Sequence, residues 1–250
     1  MPIPRFHCPA PLPAHGTVDL PEAAAHHAVR VLRLRSGDAV VLFDGTGGEV
    51  PGVLEIDGAR ARARLGAHDP REAELPGRIV LVQGLPSGDK MDWVVEKSVE
   101  LGVHAIVPVA AQRSVLQLAG ERRERRLARW RGIAQAACEQ CGRNRLPQVH
   151  GVATLAQWLQ DNAQAVEPLP VFLCHPEAQE PLAPALRAAR PAALALLVGP
   201  EGGWSDEELA AAARQGARPL RYGPRILRTE TAGLALIASV SAILGWNDEE

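Results

Sequence analysis

A chain of 250 residues with 46% hydrophobic and 22% charged side chains has the composition of a globular protein with a sizeable core, and is long enough for two domains. Its formal net charge of −2 gives no global polyanion-binding signature, so any nucleic-acid surface must be a local patch. The longest apolar run, Ala232 to Leu244, falls short of the roughly 20 residues of a membrane span, and the opening MPIPRFHCPA lacks the basic-then-apolar pattern of a secretory signal. A cytoplasmic protein without membrane association is expected.

Taken in chain order, residues 1–72 read as a small, mostly β unit. PEAAAHHAVRVLRL is a short helix opened by Pro21 and Glu22, residues suited to a first helical turn. AVVLFDG, EVPGVLEID and ARARARL follow as strands separated by Gly- and Asp-rich turns. Asp69-Pro70 and the polar REAELPG then resemble a linker. From Arg78 the texture changes: RIVLVQGL, VHAIVPVA, LPVFLC, LALLVG and RPLRYG are near-continuous apolar strands. They alternate with the helical patterns DKMDWVVEKSVELG, RRERRLARWRGIAQAACEQC and SDEELAAAARQGA, which argues for a parallel sheet covered on both faces. Of the four cysteines, Cys138 and Cys141 form a CxxC inside a helical pattern, with no second pair at zinc-site spacing. No metal site is expected.

Three stretches invite a chemical reading. FDGTGGEV (Phe43 to Val50) has the glycines of a nucleotide loop, but EVPGVLEID after it reads as a strand, so a hairpin is expected. In LALLVGPEGGWSDEEL an apolar strand ends in a Gly-Pro turn, and Ser205 with Glu208 forms a capping box for the next helix. RYGPRILRTETAGLALIA repeats that plan, so the two strand ends are expected to line one pocket. Between Gln112 and Arg145 stand nine arginines against three glutamates, 9 − 3 = +6, a candidate phosphate-contacting segment. His26, His27, Arg30, Arg33 and Arg35 make a second cationic cluster.

LLVGPEGGWSDEE and YGPRILRTETA together resemble the paired signature of the RsmE family, the 16S rRNA (uracil(1498)-N(3))-methyltransferases of the SPOUT superfamily. QGLPSGDKMDWVVEKSVELGV, AACEQCGRNRLP and HHAVRVLRLRSGD extend the resemblance over nearly the whole chain, in order. It implies an α/β fold: a PUA-like RNA-binding β-barrel domain over residues 1–72, then a SPOUT methyltransferase domain with a trefoil-knotted parallel sheet over residues 73–250. It implies S-adenosylmethionine as cofactor, 16S rRNA of the small subunit as partner, and a homodimer with its site at the subunit interface. Carried onto this sequence, Leu173, Val198, Gly199, Glu201, Gly202, Gly203, Tyr222, Gly223, Ile226, Leu227 and Arg228 would hold the cofactor. Arg5, His27, Arg30, Arg33, Arg113, Arg122 and Arg126 would contact RNA. Two positions depart from the family pattern, Cys141 where serine is common and Ser87-Gly88 where a lysine is frequent; neither is expected to touch the cofactor loops.

Methylation of uridine N3 requires loss of a weakly acidic proton while the methyl donor is held in line. Glu230 is the first candidate for base or base-positioning group, with Glu201 the other carboxylate of the loops. Arg228 or Arg143 would stabilise the uracil anion, and Thr229 would bond the base or orient Glu230. A ribose 2′-O-methyltransferase of the same superfamily and a non-catalytic rRNA-binding assembly factor stay open as alternatives.

Overall fold

The computed structural model describes residues 3–9, 11–58 and 60–248, and its contacts divide the chain into two compact units. The first comprises the chain up to Glu74 together with Gln135–Leu146; the second comprises Leu75–Ala134 and the chain from Pro147 onward. A single cut after residue 72 therefore leaves out one segment, because the residues around Arg143 and Asn144 pack with the first unit.

The first unit holds strands β1 (Arg5–His7), β2 (Gly16–Asp19), β3 (Ala39–Phe43), β4 (Val50–Asp57) and β5 (Arg60–Leu65), in the order β1-β3-β4-β5-β2. The strand β5 reads RARARL, and its alanines and leucine are buried while its arginines are exposed, as a period of two dictates. Strands β3 and β4 pair antiparallel, so FDGTGGEV is a hairpin connection. Helix α1 (Glu22–His26) continues as a π-helical turn over His27–Val31. Phe6, Ala28, Leu42, Leu54 and Ala63 are central to the core. The expected linker is tied down: Asp69 pairs with Glu49 through both backbone groups, and the Asn144 amide donates to the Arg71 carbonyl.

The second unit is built on six strands: β6 (Arg78–Gly84), β7 (Ala105–Val109), β8 (Gln148–Val149), β9 (Val171–Cys174), β10 (Ala193–Val198) and β11 (Arg218–Leu220). All pairings are parallel, in the order β11-β9-β10-β6-β7-β8. The helices are α2 (Lys90–Glu100), α3 (Gly120–Cys141, whose residues from Gln135 onward count with the first unit), α4 (Leu155–Ala163), α5 (Leu182–Ala189), α6 (Asp206–Arg214) and α7 (Thr229–Leu244). Leu173, Ala195, Leu197 and Val82 turn one sheet face toward α4 and α6, while α7 packs with α2, α5, β6 and β10. Burial on both faces is why these strands read as unbroken apolar runs. The short β1, β2 and β8 and the helices α4 and α5 lie outside the sequence expectations. Cys138 and Cys141 lie at the end of α3 and form no disulfide, and burial raises the Cys138 thiol to about 12. No helix among the described residues is long and apolar enough to cross a membrane.

Candidate active site

In the second unit Cys174 of β9, Val198 of β10 and Leu220 of β11 fall at one edge of the parallel sheet, with Gln83 of β6 level with Val198. This carboxyl edge is where α/β sheets place ligands. After β10 the chain runs through Gly199–Gly203 and enters α6 by a capping box. The Ser205 hydroxyl accepts from the Glu208 N–H at 3.1 Å, and the Glu208 carboxylate accepts from the Ser205 N–H at 2.8 Å. The loop passes so close to β6 that a Cβ on Gly84 would sit 2.5 Å from Pro200 Cδ. Only glycine fits there.

The second loop, Arg221–Arg228, leads from β11 into α7, whose N-cap is Arg228. Thr229 joins the two loops. Its hydroxyl donates to the Gly199 carbonyl at 2.6 Å and accepts from the Gln83 amide at 2.8 Å, with both side chains buried. A cavity of about 730 Å3 opens between the loops, walled by Val198–Trp204 on one side and Tyr222–Glu230 on the other. That volume is in the range of small-molecule sites.

The two loop carboxylates stand in different environments. Glu201 accepts from the Ser87 N–H at 3.1 Å, from the Ser87 hydroxyl at 2.7 Å and from the Lys90 ammonium at 2.7 Å. Burial acts to raise its pKa, but the bonds from Lys90 and Ser87 outweigh it and hold the carboxyl at about 2. Glu201 is thus a satisfied anion. Glu230 lies 3.7 Å from the same ammonium, and its Oε2 is buried with no hydrogen-bond partner among the described residues. Glu230 lines the cavity described above, and a buried acceptor with its hydrogen bond unmade is a feature a proton-bearing ligand group would satisfy.

Of the residues expected at the cofactor, all but Leu173 line this cavity. Leu173 alternates into the sheet core, and its neighbour Cys174 takes the place at the wall. Glu230, Arg228 and Thr229 come together there; Arg143 does not. It belongs to the first unit, where its guanidinium is 3% exposed and paired with Glu74 at 2.9 Å.

The residues expected at RNA separate into several settings. Arg5 is a structural cation: it pairs with Glu49 at 2.5 Å, donates to Asn144 and lies over the Phe43 ring. His27, Arg30 and Arg33 are exposed on the first unit, beside the exposed Val31 and Leu32. Arg113 lines the cavity and donates to the Trp204 carbonyl. Arg126 pairs with Asp89 at 2.7 Å, and with Arg122, Arg125 and Arg129 it lines a groove of about 460 Å3. Carboxylates from other segments, Asp89 and Asp92 among them, offset much of the +6 counted along the sequence.

Sequence reasoning missed Ser87, Lys90 and Gln83. The expectation that the Ser87 departure leaves the cofactor loops untouched is overturned, since Ser87 donates twice to Glu201. Lys90 was legible only as one of two lysines in a chain whose cations are otherwise arginine. Among the described residues no group of three or more His, Cys, Asp or Glu side chains is placed to hold a metal.

With this geometry in place, comparison with known proteins decides the family. Residues 73–241 match an RNA methyltransferase domain, and residues 20–65 match an RNA methyltransferase PUA domain. The ribosomal RNA small subunit methyltransferase E of Bacillus subtilis is 32% identical over 86% of this chain and 86% of its own. The chain belongs to this family of RNA methyltransferases. Its fold agrees with that of a ribosomal RNA small subunit methyltransferase E from Neisseria gonorrhoeae solved with S-adenosyl methionine, at 37% identity and a TM-score of 0.87, covering 96% and 98% of the two chains. A Legionella pneumophila methyltransferase solved with bound SAM is 32% identical, with a TM-score of 0.89 over 97% of this chain and 98% of the other.

Proposed function

We propose that this chain transfers a methyl group from S-adenosylmethionine to N3 of one specific uridine in 16S rRNA of the small ribosomal subunit. The observation that carries the reading is Glu230, a carboxylate at the wall of a cavity framed by the two loops: its buried Oε2 has Lys90 at 3.7 Å and no hydrogen-bond partner among the described residues. The residues fit the cofactor. Gly199–Gly203 and Tyr222–Arg228 enclose a space of suitable size, with loop backbone free to approach a ligand closely. When bound, the cofactor supplies an electrophilic methyl group.

The chain's own groups supply the rest. The Glu230 carboxylate accepts the N3 proton; the N–H bond breaks, its electron pair stays on N3, and that nitrogen becomes the nucleophile. Arg228, exposed at the cavity rim, offsets charge on the ring oxygens. Thr229 holds the loops in register. The target uridine has to leave its stack to reach the cavity. Arg30 and Arg33 on the PUA-like unit and the α3 arginines supply phosphate contacts.

A knotted passage of the second loop and a cytoplasmic site of action go with this reading, as does a homodimer. Trp93 on α2 and Ile226 beside α7 are large exposed apolar side chains, and Leu234 and Ala238 of α7 are only partly covered. Exposed apolar side chains of this size suit burial against a second copy.

The test is methyl transfer from labelled cofactor to small subunits and to naked 16S rRNA, followed by nucleoside analysis. N3-methyluridine is the expected product. A 2′-O-methylated nucleoside would favour ribose chemistry, and no transfer together with no cofactor binding would favour an assembly factor.

A further inference from the structure

Lys90, the first residue of α2, places its ammonium between the two loop carboxylates, 2.7 Å from Glu201 and 3.7 Å from Glu230. Glu201 is fixed in turn by the backbone and hydroxyl of Ser87. The ammonium is therefore positioned before any ligand arrives, and with three donors and one bond to Glu201 it keeps hydrogen-bonding capacity. Beside it stands the Glu230 carboxylate, which lines the cavity and, when ionised, can only accept. The cavity wall thus presents a fixed donor next to a fixed acceptor.

We propose that Lys90 and Glu230 together read the pairing edge of the target base, with Lys90 the residue that selects uracil over cytosine. This rests on the uridine-N3 reading above. Uracil offers an N3–H donor beside a carbonyl acceptor, which complements Glu230 beside Lys90. The bases differ at N3 and at position 4, so Lys90 is assigned to the position-4 side. There cytosine offers the reverse, an N3 acceptor beside an amino donor, and would set acceptor against carboxylate and donor against ammonium. Neither protein group can invert its polarity while ionised, so the mismatch is double. Sites that pair with a substrate's polar groups discriminate strongly, because the wrong partner leaves those groups buried and unpaired. The Lys90 ammonium also donates to the carbonyl oxygen that carries charge once N3 is deprotonated.

A competing role for Lys90 is purely mechanical, stapling the Gly199–Gly203 loop to α2 through Glu201. The experiment compares wild type, Lys90→Met and Lys90→Arg as full chains. It measures S-adenosylmethionine affinity by calorimetry, and binding and methylation of reconstituted small subunits carrying U or C at the target position. The expected result for Lys90→Met is an unchanged cofactor affinity, a fall of about a hundredfold in turnover on U, and a collapse of the U-over-C binding preference. Lys90→Arg, which keeps the cation, restores part of that preference. A U-over-C preference that survives in Lys90→Met overturns the proposal; if cofactor affinity falls with it, the lysine is a staple. Wild-type enzyme that makes no N3-methyluridine would instead sink the underlying reading before any variant is compared.

Discussion

The Thr229 hydroxyl donates to the carbonyl of Gly199 at 2.6 Å, across 30 residues of chain, and so closes the second loop of the site onto the first. The same oxygen accepts from Gln83, whose other amide atom, Oε1, is already buried with no hydrogen-bond partner among the described residues. Thr229→Val keeps the shape but strands the Gln83 donor and the Gly199 acceptor, which costs about 1–3 kcal/mol. Denaturant unfolding should show that loss, and calorimetry a weaker affinity for S-adenosylmethionine. Thr229→Ser should restore both.

Glu230→Gln removes the negative charge while preserving size. If Glu230 takes the N3 proton, turnover should fall by about 10²–10⁴, with cofactor affinity nearly intact because Glu201 and the loop backbone are unaltered. Single-turnover transfer to small subunits measures the first quantity and calorimetry the second. Undiminished turnover would remove Glu230 from the chemistry.

What the sequence revealed about this site follows from how local each signal is. The strand β10, its Gly-Pro turn and the Ser205–Glu208 capping box lie in one continuous stretch from Ala193 to Glu208, and each residue type there has a positional meaning. The parallel sheet was legible for the same reason, since burial on both faces writes unbroken apolar runs. Lys90 was not legible, because its role depends on Glu201, 111 positions away. Arg5 looked like a free surface cation because its partner Asn144 is 139 positions away. The +6 of the arginine-rich segment misled for the same cause: its neutralising carboxylates, such as Asp89 and Asp92, are on another helix or its cap.

The Glu201–Lys90 pair makes stability depend on pH at two ends. The Glu201 pKa is lowered from 4.5 to about 2, so its contribution is complete above pH 4.5 and is lost as the pH falls through about 2. The bond to Glu201 raises the Lys90 pKa above its ordinary 10.5, so that contribution is complete below 10.5 and fades as the pH climbs beyond it. Subtracting unfolding midpoints of Glu201→Gln from those of wild type across pH should give a plateau with losses at both ends. A difference independent of pH below 4.5 would contradict the pairing.

Arg5 should behave as a structural residue. Its guanidinium and the Glu49 carboxylate are 11% and 12% exposed, and Asn144 supplies a further acceptor. Arg5→Met leaves Glu49 with Arg71 alone, at 3.3 Å and half exposed, so it should cost up to about 3–5 kcal/mol, the range for breaking a buried pair. Arg30→Ala, at an exposed position, should leave the melting temperature unchanged and weaken RNA binding. Thermal unfolding of the two variants side by side decides between these roles.

The groove on α3 makes a claim about salt. Arg122 and Arg125 face it with no carboxylate within ion-pair distance among the described residues, whereas Arg126 and Arg129 are engaged by Asp89 and Asp92. If the two unengaged arginines each neutralise one phosphate, Arg122→Ala with Arg125→Ala should reduce the slope of log affinity against log salt by about 1.4–1.8. Neutralising Arg126 or Arg129 should change that slope less, because their charge is already spent on carboxylates of this chain. Binding of 16S rRNA across a salt series measures both. Equal slopes for the double variant and wild type would place the phosphate contacts on another surface, with the exposed Arg30 and Arg33 the next to test.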